Sequence, residues 1–166
     1  MSLDEIPQKM LESKLFQNLS PSEVDSLYAV GKLKTLKAGE IMVKENQEGE
    51  EFFWILSGRL TVYIGSVDGG KHLELNVIKD GDIVGELVLL GKNRRTASVQ
   101  AQSDCQVMSW NREDCVKLFH KDASLGYCLM SNFAQILGDR IQEMNLHVRN
   151  QAEISNLHLL SAAHRP

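Results

Sequence analysis

Between Leu33 and Trp110 the apolar residues recur with a period of two, and this narrows the available folds more than anything else in the chain. Leu60, Val62 and Ile64 alternate with Thr61 and Tyr63; Leu73, Leu75 and Val77 alternate with Glu74 and Asn76. Successive side chains of a strand point to opposite faces, so this alternation predicts half-buried antiparallel strands. Phe52 to Leu56 is apolar throughout, as expected of a strand covered on both faces. Turn signals separate the runs at Lys37-Ala38-Gly39-Glu40, Ser57-Gly58, Asp68-Gly69-Gly70 and Lys79-Asp80-Gly81-Asp82. Many short strands at this spacing predict an antiparallel, jelly-roll-like β-roll barrel.

On either side of this block the period is helical. From Asp4 to Val30 the clearest start is Ser20-Pro21-Ser22-Glu23: a serine cap, proline at the first helical position and a glutamate in the first turn. Asn111 opens a short helix reaching about His120. A longer helix follows, with Met130, Phe133, Leu137, Ile141, Met144 and Val148 at spacings of 3, 4, 4, 3 and 4. That near-heptad stripe needs a partner surface. Its first half is expected on the protein's own barrel and its second half on another copy of the chain. The expected class is therefore mainly β with flanking helices. The regions are an N-terminal helical segment (1–32), a β-roll core (33–110), C-terminal helices (111–155) and a frayed tail (156–166).

The chemistry concentrates in Gly81 to Val99, GDIVGELVLLGKNRRTASV. A glycine before a short helical turn lets backbone N–H groups approach an anion closely. An arginine nearby completes a phosphate site with its planar fork of donors. A carboxylate in the same place repels phosphate, so Glu86 suits a hydroxyl instead, such as a ribose 2′-OH. Phosphate donors together with one hydroxyl acceptor describe a cyclic nucleotide.

The segment resembles the phosphate-binding cassette of the cyclic-nucleotide-binding domains, which reads approximately F-G-E-L-A-L, a few variable residues, then R-A-A-T-V. Here the corresponding residues are Val84-Gly85-Glu86-Leu87-Val88-Leu89 and Arg95-Thr96-Ala97-Ser98-Val99. The stretch EGEEFFWILSGRLTVYI resembles the glycine-punctuated strand pair of the same family, and the resemblance covers roughly Leu15 to Arg149. It implies a nucleotide site made by Gly85, Glu86, Leu87, Val88, Arg95, Thr96 and Ala97. Arg95 would hold the phosphate and Glu86 the ribose. On the long helix it implies Asn145 as a reader of the purine edge and Arg140 as the residue that orients Glu86. Cyclic AMP is expected ahead of cyclic GMP, although the family sometimes uses a threonine like Thr96 to touch guanine. Val88 departs from the usual alanine or glycine; pointing into the pocket it crowds the ligand, pointing away it costs nothing. A crowded site would leave a degenerate domain serving dimerisation or partner binding without nucleotide. The resemblance also implies a homodimer through the C-terminal helix and signalling by that helix. No helix-turn-helix follows, so no DNA-binding domain is expected.

Other classes find little support. The formal net charge of −4 gives no general attraction to nucleic acid. No apolar run approaches the ~20 residues that span a bilayer, and MSLDEIPQKM has no signal-peptide pattern. Cys105, Cys115 and Cys128 are odd in number and widely spaced, which fits buried thiols in a reducing cytoplasm. A cupin-like metal enzyme needs two or three strand histidines. Only His72 lies in the strand region, near Glu74. No metal ligand set, no catalytic constellation and no resident cofactor is expected.

Overall fold

The computed structural model describes residues 6–65 and 72–163, with side chains as far as 150. The turn expected at Asp68-Gly69-Gly70, and His164 to Pro166 of the tail, lie outside the described residues.

The continuous apolar run becomes β3 (Glu51–Ser57), and its two faces serve two cores. Phe52, Trp54 and Leu56 join a cluster with the helices, while Phe53 and Ile55 join a second cluster between the sheets. β8 (Cys105–Asn111) divides in the same way, with Met108 and Trp110 on the helical side and Val107 on the other. This is why neither strand has room for a polar alternation.

Among the described residues, eight strands form two four-stranded antiparallel sheets. One has the order β1-β8-β3-β6, adding β1 (Lys32–Leu36) and β6 (Ile83–Val84). The other has the order β2-β7-β4-β5, with β2 (Ile41–Val43), β7 (Ser98–Ala101), β4 (Leu60–Ile64) and β5 (Leu73–Ile78). The two sheets make the antiparallel β-roll expected from sequence, roll-like rather than closed into one barrel.

β5 differs from expectation. Leu60 pairs with Ile78 and Val62 with Asn76, followed by an irregularity after Val62. This register buries Ile78, puts the exposed Asn76 on the rim of a cavity on the same side, and leaves Leu73, Leu75 and Val77 exposed. A strand's side-chain period is two, so register alone decides which set faces the core.

At the N-terminus α1 (Ile6–Glu12) and a single 3-10 turn (Lys14–Phe16) precede α2 (Pro21–Val30). Ser20 and Glu23 form a full capping box at the start of α2. Trp110 Nε1 donates to the Leu27 carbonyl at 2.8 Å and ties α2 to β8. Asn111 caps α3 (Arg112–Lys121). α4 then runs unbroken from Ala123 to Ala163, eight residues beyond the expected end at 155. Neither glycine nor proline interrupts residues 139–163, so the sequence contains no stop signal there.

The first third of α4 is fixed. Leu125, Leu129 and Phe133 are buried, and Asn132 Nδ2 donates to the carbonyls of Leu15 (2.9 Å) and Gln17 (2.8 Å). Met130 and Ile136 pack on the same core, whereas Ile141, Met144 and Val148 are exposed. No helix among the described residues is long and apolar enough to cross a membrane.

Candidate functional site

Arg95 stands at the start of β7 in a socket formed by backbone. Its N–H donates to the Gln47 carbonyl at 2.8 Å, and its carbonyl accepts from Asn46 N–H at 2.9 Å. Gly49 N–H donates to the Asn93 carbonyl at 2.9 Å, so the loop before β3 clasps the arginine's flanks. The guanidinium lies between Gly49 and Gly85, and a methyl group on either glycine would run into it. Gly85 also has φ +79°, a conformation that glycine adopts without strain. Nη2 donates to the Glu51 carbonyl at 2.7 Å, and the group sits 5.8 Å from the Phe53 ring centre. Nη1 is buried with no hydrogen-bond partner among the described residues. Burial holds the pKa of Arg95 below the usual guanidinium value, opposed by the charges of Glu51, Glu86 and Glu50. A half-buried cation whose buried Nη1 has no acceptor among the described residues is a site prepared for an anion.

Facing it is a 3-10 helix, Glu86–Leu90, entered through Gly85 and left through Gly91. Glu86 is 8% exposed. Its Oε1 accepts from Arg140 Nη1 at 3.2 Å, and Arg140 Nη2 donates to the Ile83 carbonyl at 2.6 Å. Arg140 thus reaches from α4 across to the cassette and sets the direction of the carboxylate. Among the described residues no donor reaches the other carboxylate oxygen, which can accept from a hydroxyl.

A cavity of about 200 Å³ lies between these groups. Its floor is a single line across the second sheet: Val43 pairs with Val99, Val99 with Val62, and Val62 with Asn76. All four residues line the cavity, so three valines end in an amide at the edge strand.

Of the residues expected from sequence, Gly85, Glu86, Leu87, Val88, Arg95, Thr96 and Ala97 all line this cavity, as does Arg140. Val88 is 1% exposed and belongs to the helical-side core with Ile83 and Phe133. Asn145 is not brought to the cavity; it is exposed on α4. Five residues beyond Arg140 turn the helix by about 140° and advance it by about 7 Å, which carries Asn145 off the facing side. His72 is half exposed, 3.9 Å from Glu74 and against the Tyr63 ring, away from the cavity lining. The valine line and Asn76 were missed, because their meeting depends on a register that periodicity does not specify.

A protein of Thermus thermophilus named cyclic AMP receptor protein is 26% identical over 139 residues, 84% of this chain and 62% of that protein. The cGMP-dependent protein kinase egl-4 of Caenorhabditis elegans is 31% identical over 105 residues, 63% of this chain and 14% of the kinase. The crystal structure of the Thermus thermophilus catabolite activator protein matches with a TM-score of 0.71 and 25% identity, covering 84% of this chain and 63% of that one. The chain therefore spans less than two thirds of the length of each of these proteins. The sequence profile of the cyclic nucleotide-binding domain matches residues 33–122, from β1 through α3. With that match over more than half its length, and with this fold, the chain belongs to the cyclic nucleotide-binding domain family.

Proposed function

We propose that this protein is a regulatory module, not an enzyme, that binds a cyclic nucleoside monophosphate in the cavity between Arg95 and Glu86. The carrying observation is the half-buried guanidinium of Arg95, whose buried Nη1 has no hydrogen-bond partner among the described residues. A cyclic phosphate supplies the missing acceptor and the missing negative charge together. The free oxygen of Glu86 accepts from the ribose 2′-hydroxyl, and the valine line receives the flat face of the base. Val88 supports this reading over a degenerate domain, since its bulk is part of the core.

Signalling follows from Arg140. A ribose hydroxyl arriving at Glu86 shares the carboxylate that Arg140 grips, so occupancy changes the contact that holds α4 to the cassette. The ligand shifts α4 only by as much as it prefers one arrangement over the other. The exposed residues Ile141, Met144 and Val148 suit a two-fold seam between two copies of the chain. We place the protein in the cytoplasm, in keeping with three free thiols.

Calorimetric titration with cyclic AMP and cyclic GMP tests the reading. Saturable binding of at least one, lost in Arg95→Ala, is the expected result. Absence of heat with both, in a folded protein, overturns it in favour of an interaction module without nucleotide.

A further inference from the structure

The relatives include one protein named for cyclic AMP and one named for cGMP. Base choice therefore has to come from the pocket's own residues. We propose that Asn76 reads the base and selects guanine over adenine, in concert with the carboxylates that α4 presents beside it. This inference rests on the cyclic-nucleotide reading above.

The floor of the pocket has a direction. Arg95 lies four residues before Val99 on one side, and the line Val43, Val99, Val62, Asn76 runs away to the edge strand. Neighbouring strands are ~4.8 Å apart, so four strands span about 14 Å. A phosphate on Arg95 and a ribose on Glu86 leave the base over the valines, with its edge directed to Asn76.

The amide does not face that edge as both donor and acceptor. Asn76 Oδ1 accepts from the Val77 backbone N–H at 2.8 Å. A backbone N–H can only donate, so this bond identifies the oxygen and leaves the two Nδ2 protons for a ligand. No described residue accepts them. Guanine presents O6 and N7, two acceptors side by side. Adenine presents N7 beside an amino group, which would set donor against donor.

A second observation points the same way. Asn76 also lines an adjoining cavity of about 180 Å³ whose wall carries Asp139, Arg140 and Glu143 of α4 together with Lys14 and Asp82; Arg140 is engaged by Glu86 and the Ile83 carbonyl. Asp139 and Glu143 are exposed and make no hydrogen bond or ion pair among the described residues. Carboxylates are pure acceptors. Guanine has donors at N1 and its 2-amino group next to O6; adenine has an acceptor at N1 and no amino group at C2. One donor from β5 followed by acceptors from α4 is the complement of guanine's edge. This choice is the reverse of the adenine preference expected from sequence.

Calorimetry with cyclic GMP, cyclic IMP and cyclic AMP tests the proposal, because hypoxanthine keeps O6 and N1–H but lacks the 2-amino group. The wild type should bind cyclic GMP and cyclic IMP about tenfold or more tightly than cyclic AMP. Asn76→Ala should lower the preference for cyclic GMP and cyclic IMP over cyclic AMP about tenfold, with an unchanged circular dichroism spectrum showing that the variant is folded. Glu143→Gln should weaken cyclic GMP and cyclic IMP without loss of cyclic AMP. Four results overturn the proposal: cyclic AMP binding as well as cyclic GMP in the wild type; cyclic IMP behaving like cyclic AMP; an unchanged ratio in Asn76→Ala; or equal loss of all three ligands in that variant. Each of these leaves cyclic-nucleotide binding itself standing. A wild type that binds none of the three overturns both readings.

Discussion

Arg95 is held at a cost to the empty domain. Its burial is only partly offset by the fields of Glu51, Glu86 and Glu50, and Nη1 lacks an acceptor among the described residues. Arg95→Ala should therefore leave thermal stability unchanged or slightly higher, while weakening nucleotide binding by about 3–5 kcal/mol, or two to four decades. Melting and calorimetric curves on the same sample check both halves. Arg94 is exposed, and Arg94→Ala should change affinity by less than about threefold. Val88→Ala is expected to cost roughly 1–3 kcal/mol in denaturant unfolding and not to tighten binding, because it hollows the core rather than widening the pocket. Cys115 has a separate consequence. Burial, aided by Asp114, pushes its thiol up to about 12. The folded value lies above the unfolded one, so this contribution is complete below about pH 9 and is lost as pH rises from there to about 12. Cys115→Ala should flatten that alkaline fall in melting temperature. Arg95 and Glu86 were legible in the sequence because their spacing along one short segment carries the chemistry. Which way Val88 points was not, since a buried valine and a pocket valine share one letter and differ only in what packs on them.

At the scale of elements, β3 was readable because a strand between two cores excludes polar residues from both of its faces. β5 was misread for a related reason. Its alternation is real, but Leu60 opposite Ile78 and Val62 opposite Asn76 send the leucines outward, bury Ile78 and leave the asparagine at the cavity rim. Local pattern determines that two faces differ; pairing determines which one is buried. The start of α2 was legible down to its cap. The attachment of α4 was not, because Asn132 reaches back more than a hundred residues to the carbonyls of Leu15 and Gln17. Asn132→Leu should cost about 1–3 kcal/mol by leaving the buried Leu15 carbonyl without its donor and removing one from the exposed Gln17 carbonyl, measured as a lower denaturant midpoint at constant slope. Since this anchor precedes Arg140 on the same helix, the loss should also weaken the hold of α4 on the cassette.

In the whole molecule α4 passes from a first third with buried positions to an exposed stretch over 141–150, and the stripe read from sequence divides between the two. Met130 and Phe133 are satisfied within the domain, whereas Ile141, Met144 and Val148 are not. Each large apolar side chain contributes roughly 1.5–3 kcal/mol on full burial. Ile141→Asp with Val148→Asp should convert a dimer to a folded monomer in sedimentation velocity; a wild type already monomeric at tens of micromolar would rule the seam out. The length of α4 has a mechanical side. At ~1.5 Å per residue its 41 residues extend about 60 Å, and some 35 Å of that lies beyond Arg140. Arg140 therefore acts as a pin close to the pivot of a long arm. A tilt of only about 10° at the pin would sweep the far end through about 6 Å, so on the proposed reading a displacement of a fraction of an ångström at the sugar would reach the end of α4 as a movement the width of a side chain.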